Sequence, residues 1–233
     1  YHQCRDLLEN CGLIIGNLSF PTKSSNLHFL PLYRNTLEPL IAELLEFGDF
    51  LLDPFSSVLP ESKENMGISG LPASLTAKAL ELGGPALALD AACASSLYSV
   101  GLACHYLQSR KAEMMLAGAV SAADPFFVNM GFSIFQAYPE DGKSCPLDKH
   151  SGGLFASEGA GMFLLKRLDD ALRDKDRIHA VIRSVGWSND GRGQFVLSPN
   201  QKGQILAFER AYADIGIEPE KIDYVECHAT GTP

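Results

Sequence analysis

Nowhere in the 233 residues is there a run of about 18 apolar side chains, the length a helix needs to cross a bilayer, so no membrane span is expected. No basic segment followed by an apolar stretch and a small-residue cleavage site opens the chain, and no signal peptide is read. Positive charge is scarce: 19 Lys and Arg against 28 Asp and Glu leave a formal net charge of -9. Nucleic-acid binders carry basic patches, so nucleic acid is not expected as a partner. Among six cysteines there is no C-x-x-C pair and no Cys/His spacing typical of zinc, so no metal site is expected. Cys4, Cys11, Cys93, Cys104, Cys145 and Cys227 read as reduced thiols of a cytoplasmic protein. All but Cys93 read first as small buried hydrophobes. Short repeats, low-complexity segments and clear linkers are also lacking. So is an initiator Met, and a chain that opens on "YHQCRDLLEN" reads as a piece of a longer protein.

What is present is an ordinary globular composition, 46% hydrophobic and 20% charged. A chain of this size should bury roughly 70% of its unfolded surface. Apolar strands are expected at Leu13–Ile15, at "ALALD", at "AEMMLAGAV", at Met162–Leu165, at "IHAVIRSVGWSND" and at "IDYVECH". Helical spacing marks Leu37, Leu40, Ile41, Leu44 and Leu45, then Ala73–Leu82, then Ser95–Ser109, then Ile205, Phe208, Ala211 and Tyr212. A charged helical turn is expected at "DDALRDKD", and polar loop at "DPFSSVLPESKENMG". Strands alternating with helices argue for an α/β protein with mostly parallel sheets covered on both faces.

One junction carries chemistry. In "GGPALALDAACASSLYSVGLACHYLQ" an apolar strand ends at Asp90, and Cys93 stands where a helix begins. Helix N-termini hold unpaired N–H groups and partial positive charge, which favour a thiolate and can receive an oxyanion. A sharp strand-to-helix turn lifts a side chain out of the packed layer, and Ala91, Ala92 and Ala94 leave room around it. From these features alone, a nucleophile and a buried structural thiol both remain open for Cys93. Cys104, among Leu102, Ala103 and Leu107, reads as core. His228, in "DYVECHATGTP", also sits where an apolar strand runs into a turn of small residues. Strand ends are where open α/β proteins place their sites. A structural histidine is the alternative, but a Cys and a His so placed together suggest thioester chemistry.

Recognition adds to this reading. "DAACASSL" resembles the nucleophile motif of β-ketoacyl synthases, with Ala94 where Ser is usual. "YVECHATGTP" resembles their histidine motif, with Ala229 for Gly. "ASEGAGMFLLKRLDDALRDKDRIHAVI" resembles their G-E-G-A-G segment, with Ser157 for Gly, and "PEDGKSCPLD" their P-D-G loop, with Leu147 for Phe. The motifs stand in the family's order across about residues 66–233. "GNLSFPTKSSN" and "MGFSIFQAYPEDGKSCPLD" are most similar to synthase domains of polyunsaturated fatty acid synthases.

The resemblance implies a thiolase-like layered α/β fold (αβαβα) in a partial ketosynthase domain. Residues 1 to about 165 would form the half bearing the nucleophile, and about 166–233 the start of the second half. It implies a decarboxylative condensation in which Cys93 carries the acyl group and its own N–H supplies part of an oxyanion hole. His228 would steady an enolate oxygen, Thr230 and Thr232 would bind phosphopantetheine, and Glu158 would support the site. A second catalytic His and a Lys motif lie further along in the family and are not in these residues. No cofactor is implied beyond the phosphopantetheine of the acyl carrier protein partner, and a homodimer is implied, meeting near Asp90–Leu97. The alternatives are a non-catalytic chain-length-factor-like partner of the same fold and a coenzyme-A-dependent thiolase-like enzyme.

Overall fold

The segment Cys11–Gly16 contains no charge and carries two β-branched isoleucines, and it forms the first strand, β1. The computed structural model describes residues 5–18, 23–46, 51, 69–121, 125–192, 198–213 and 215–231. A short helix α1 (Arg5–Glu9) precedes β1, and a long helix α2 (Lys23–Leu44) follows it. Then come α3 (Leu71–Ala79), β2 (Ala86–Leu89), α4 (Ser95–Gln108) and β3 (Met114–Ser121). The order closes with α5 (Pro125–Ile134), β4 (Gly159–Lys166), α6 (Leu168–Arg173), α7 (Gln201–Tyr212) and a 3-10 turn at Pro219–Lys221. The loop expected at "DPFSSVLPESKENMG" lies outside the described residues.

The four strands form one sheet in the order β2-β1-β3-β4. β1 pairs in parallel with β2, Leu13 opposite Ala86, and with β3, Cys11 opposite Met114. Side chains alternate across a strand, and β1 uses both faces. Ile14 packs with Ala103 and Leu107 of α4 and Met115 and Ala117 of β3. Leu13 and Ile15 pack with Ala73 and Ala77 of α3. Burying Leu13 or Ile14 stabilises by about 1.5–3 kcal/mol each. The sheet carries helices on both faces at its centre, an α/β arrangement in which β1 ends beside the start of α4.

Two expectations are corrected. β4 runs antiparallel to β3, from Met114 opposite Lys166 to Ser121 opposite Gly159. Among the described residues it is an edge strand whose first six residues are exposed, so the expected cover on both faces is not seen there. Second, the apolar segments read as strands at 178–190 and 222–228 are not in a ladder among the described residues; an apolar extended segment becomes a strand only where a neighbour offers hydrogen-bonding groups. A helix for which the sequence gives no periodic signal, α5, forms over "PFFVNMGFSI". Pro125 at its first position fits a helix start, because proline lacks the N–H that would find no intrahelical partner there.

A clasp ties α4 to the second part of the chain. The Arg167 guanidinium donates to the carbonyls of Leu107 and Ala112, at 3.0 and 2.8 Å, and to Asp170. On the other side of α4, the Tyr98 ring lies 4.9 Å from that of Trp187, and its hydroxyl donates to the Ser188 carbonyl. Arg210 of α7 donates to the Trp187 carbonyl, so α7 and α4 grip the segment 185–190 from two sides.

Candidate active site

The elbow between β2 and α4 is built by local bonds that the sequence supplies. Asp90 accepts from the N–H of Ala92 at 2.9 Å, the two-residue turn that Asp side chains favour. The Ser95 hydroxyl accepts from the N–H of Ala91 and donates to the carbonyl of Ala92, at 2.9 and 2.7 Å. Ser99, fully buried, donates to the carbonyl of Gly118 and fixes the first turn of α4 on β3. Held this way, Ala92 adopts φ +50°, a left-handed conformation that costs a non-glycine residue roughly 1–3 kcal/mol. The next residue, Cys93, is exposed. Strain held in place by surrounding bonds beside an exposed thiol makes this elbow a candidate site.

Gly16, at the end of β1, makes the approach possible. A methyl at its Cα would stand 2.7 Å from Cβ of Ser95 and 2.8 Å from that residue's backbone.

Cys93 opens into a cleft of about 840 Å³. His228, Thr230 and Glu158 line the same cleft. The structure thus brings together four of the five residues singled out from the sequence; Thr232 lies outside the described residues. His228 and Glu158 are exposed, and Thr230 is half-buried. The other wall is apolar, with Val128, Phe132, Leu154 and Phe155. Tyr138 braces it: its ring stacks with Phe155 at 6.2 Å, and its hydroxyl donates to Asn129 at 2.6 Å. Sequence reasoning missed this wall, because α5 gave no periodic signal and the rings meet only through the fold.

The turn that bears His228 is also held. Ala229 and Gly231 take φ +35° and +83°, and the Gly231 carbonyl accepts from the Ser151 hydroxyl at 2.6 Å. No signal in the sequence marked Ser151. Just upstream, Tyr224 donates to Glu226, and that bond raises the phenol above its ordinary value.

The other cysteines divide. Cys11 is buried and Cys104 half-buried, and burial pushes both thiols up from the ordinary value of 9.0. Cys145 and Cys227 are exposed, against the expectation of buried hydrophobes. Both belong to segments that lack the covering layer an interior thiol needs. Among the described residues no group of three or more His, Cys, Asp or Glu is placed to hold a metal ion, and no helix is long and apolar enough to cross a membrane.

Comparison with known proteins gives the family and the fold. The family model "Beta-ketoacyl synthase, N-terminal domain" matches residues 57–171, and "Beta-ketoacyl synthase, C-terminal domain" matches 179–233. One component of the polyunsaturated fatty acid synthase of Thraustochytrium sp. is 38% identical over 96% of this chain, which spans 11% of that protein. One component of the phenolphthiocerol/phthiocerol polyketide synthase of Mycobacterium tuberculosis is 39% identical over 66% of the chain and 8% of that protein. Among solved structures, the "PfaC Keto synthase-Chain length factor" superposes with a TM-score of 0.84 at 58% identity, over 97% of this chain and 24% of that one. The ketosynthase from module 6 of the bacillaene synthase of Bacillus subtilis 168 gives 0.71 at 28% identity, over 96% and 34%. The fold is therefore the thiolase-like α/β fold of ketosynthases, and the chain belongs to the β-ketoacyl synthase family, among the ketosynthases of polyunsaturated fatty acid and polyketide synthases.

Proposed function

We propose that the intact protein performs a decarboxylative Claisen condensation that lengthens a fatty acid or polyketide chain by one two-carbon unit. The observation that carries the reading is the exposed Cys93 on its left-handed elbow, in the cleft that His228 also lines. The Cys93 thiolate attacks the carbonyl of an acyl thioester on acyl carrier protein. The oxyanion forms beside the N–H groups at the start of α4, the carrier thiol leaves, and the acyl group is held on sulfur. Malonyl carrier protein then enters and loses carbon dioxide. The electron pair of the broken carbon–carbon bond becomes an enolate, and a hydrogen bond from His228 steadies its oxygen. The enolate carbon attacks the acyl-Cys93 carbonyl, the Cys93 thiolate leaves, and a 3-oxoacyl thioester remains on the carrier. A donor of this kind typically supplies about 10²–10³-fold.

The remaining residues follow in role. Thr230 and Thr232 hydrogen-bond the phosphopantetheine arm, and Glu158 supports the site at the cleft wall. The apolar wall of Phe132 and Phe155 suits a growing acyl chain. Residues 1 to about 165 act as the nucleophile-bearing half, and about 166–233 begin the other. The protein acts in the cytoplasm as a homodimer meeting near Asp90–Leu97, where Leu97 is 68% exposed, and it uses no cofactor of its own. Cys93 favours this reading over a non-catalytic chain-length-factor-like partner, which lacks the nucleophile; a coenzyme-A-dependent enzyme is separated by its acyl donor.

The test is to supply the intact protein with acyl and malonyl carrier proteins and follow the 3-oxoacyl product. Cys93→Gln should stop acyl loading and condensation while malonyl carrier protein is still decarboxylated. Condensation by the Gln variant, or loading from coenzyme A but never from the carrier, would overturn the proposal.

A further inference from the structure

We infer that Ser151 is a positioning residue for the His228 turn, holding the imidazole over the Cys93 cleft from a loop 80 residues before Gly231 in the chain. The inference rests on the role proposed for His228. The Ser151 hydroxyl donates to the Gly231 carbonyl at 2.6 Å, at the short end for an O–H···O bond, and the contact is partly buried. The fit between the two loops is close. A methyl on Gly231 would stand 2.8 Å from the Ser151 Oγ and 2.9 Å from the Gly153 carbonyl. The φ of +83° at Gly231 is one that other residues rarely take, so this backbone meets the Ser151 loop in a form reserved for glycine.

The Ser151 loop is itself fixed to the cleft. The N–H of Ser151 donates to the Asp148 carbonyl at 3.0 Å, and the N–H of His150 to the Asp148 carboxylate at 2.7 Å. The N–H of Leu154 donates to the carbonyl of Ala137, just past the end of α5, at 2.8 Å. α5 carries Asn129 and Phe132 on the cleft wall. A continuous path of hydrogen bonds and chain therefore runs from the cleft wall through Ser151 to the turn that follows His228. Loss of Ser151 leaves Cys93 and its elbow untouched and frees the His228 turn.

The experiment measures malonyl-carrier decarboxylation and acyl loading of Cys93 side by side in the intact protein. Ser151→Ala is expected to lower the decarboxylation kcat by about three- to tenfold, the effect of one neutral hydrogen bond, with loading reduced less than the chemical step. Ser151→Thr, which keeps the hydroxyl, should restore most of the rate, and Gly231→Ala, which crowds the same contact from the other side, should reproduce the loss. His228→Ala should cost about 10²–10³-fold, and adding Ser151→Ala to it should cost nothing further, because the two act as one unit. A full His228 effect with none from Ser151 overturns this inference and leaves the condensation reading standing. So does an equal Ser151 loss with and without His228, which marks a purely structural role. No loss from His228→Ala overturns the reading of His228 itself.

Discussion

Replacing Gly16 with alanine puts a methyl group 2.7 Å from Cβ of Ser95 and 2.8 Å from its backbone carbon and oxygen. Ordinary carbon contacts lie at about 3.5–4.0 Å, so the start of α4 must retreat by about 1 Å. Backbone cannot swing aside as a flexible side chain can, and Ser95 is bonded to both Ala91 and Ala92, so the displacement passes to Cys93. Overpacking of this kind costs about 1–3 kcal/mol, which for a protein of this size lowers Tm by roughly 2–12 °C. The catalytic effect should be larger, since misplacing a reacting group by about 1 Å can cost about 10²-fold. The assay is acyl loading from the carrier thioester, followed by intact mass, with iodoacetamide labelling of Cys93 as the reference. A small reagent needs no docked geometry, so labelling should change little while loading falls. Loading at the parental rate in a variant whose Tm has not moved would refute the argument that Gly16 sets the nucleophile's position.

Other outcomes follow from the same structure. Iodoacetamide at mildly alkaline pH should label Cys93 before Cys11 and Cys104, whose thiols burial has raised; equal labelling of Cys93 and Cys104, read by peptide mass mapping, would count against this. Bonds from Arg173 hold the Asp170 carboxyl below its ordinary value of 3.8, and Lys166 does the same for Asp174. A lowered folded value contributes stability that is full above the unfolded value and is lost as pH falls through the folded one. Urea midpoints should therefore fall below about pH 4, and Asp170→Asn should flatten that decline. Tyr98→Phe keeps the ring against Trp187 but loses the bond to the Ser188 carbonyl, and should cost about 1 kcal/mol in urea melts.

That Cys93 and His228 share one cleft was legible because each is announced locally, by an apolar run that stops at small residues. The bonds that turn the Cys93 elbow come from Asp90, Ala91, Ala92 and Ser95, so the sequence around it shows the turn, while its place in the fold depends on Gly16 and Gly118. The apolar wall was not legible. α5 is apolar on nearly every side, which removes the polar–apolar contrast a helix period depends on, and Phe155 reaches the wall from a loop. The direction of β4 was hidden for a different reason: the connection from Ser121 to Gly159 is long enough to return the chain either way. The stretches 178–190 and 222–228 have strand composition but no ladder among the described residues, because pairing belongs to the neighbour as much as to the segment. Ser151 was invisible, since one hydroxyl in a loop has no pattern until Gly231 lies beside it.

The central place of β1 has a consequence in time. Its hydrogen-bonding partners begin only at Ala86 and Met114. A ribosome adding about 5–20 residues per second leaves β1 without either neighbour for on the order of ten seconds. Throughout that interval Leu13, Ile14 and Ile15, among the best-buried side chains of the finished sheet, are exposed on a nascent chain. Parallel pairing must wait for its distant strand, and such topologies fold slowly and are prone to aggregate. Synthesis of this protein should therefore gain from holding factors that shield the first strand until β2 and β3 have emerged.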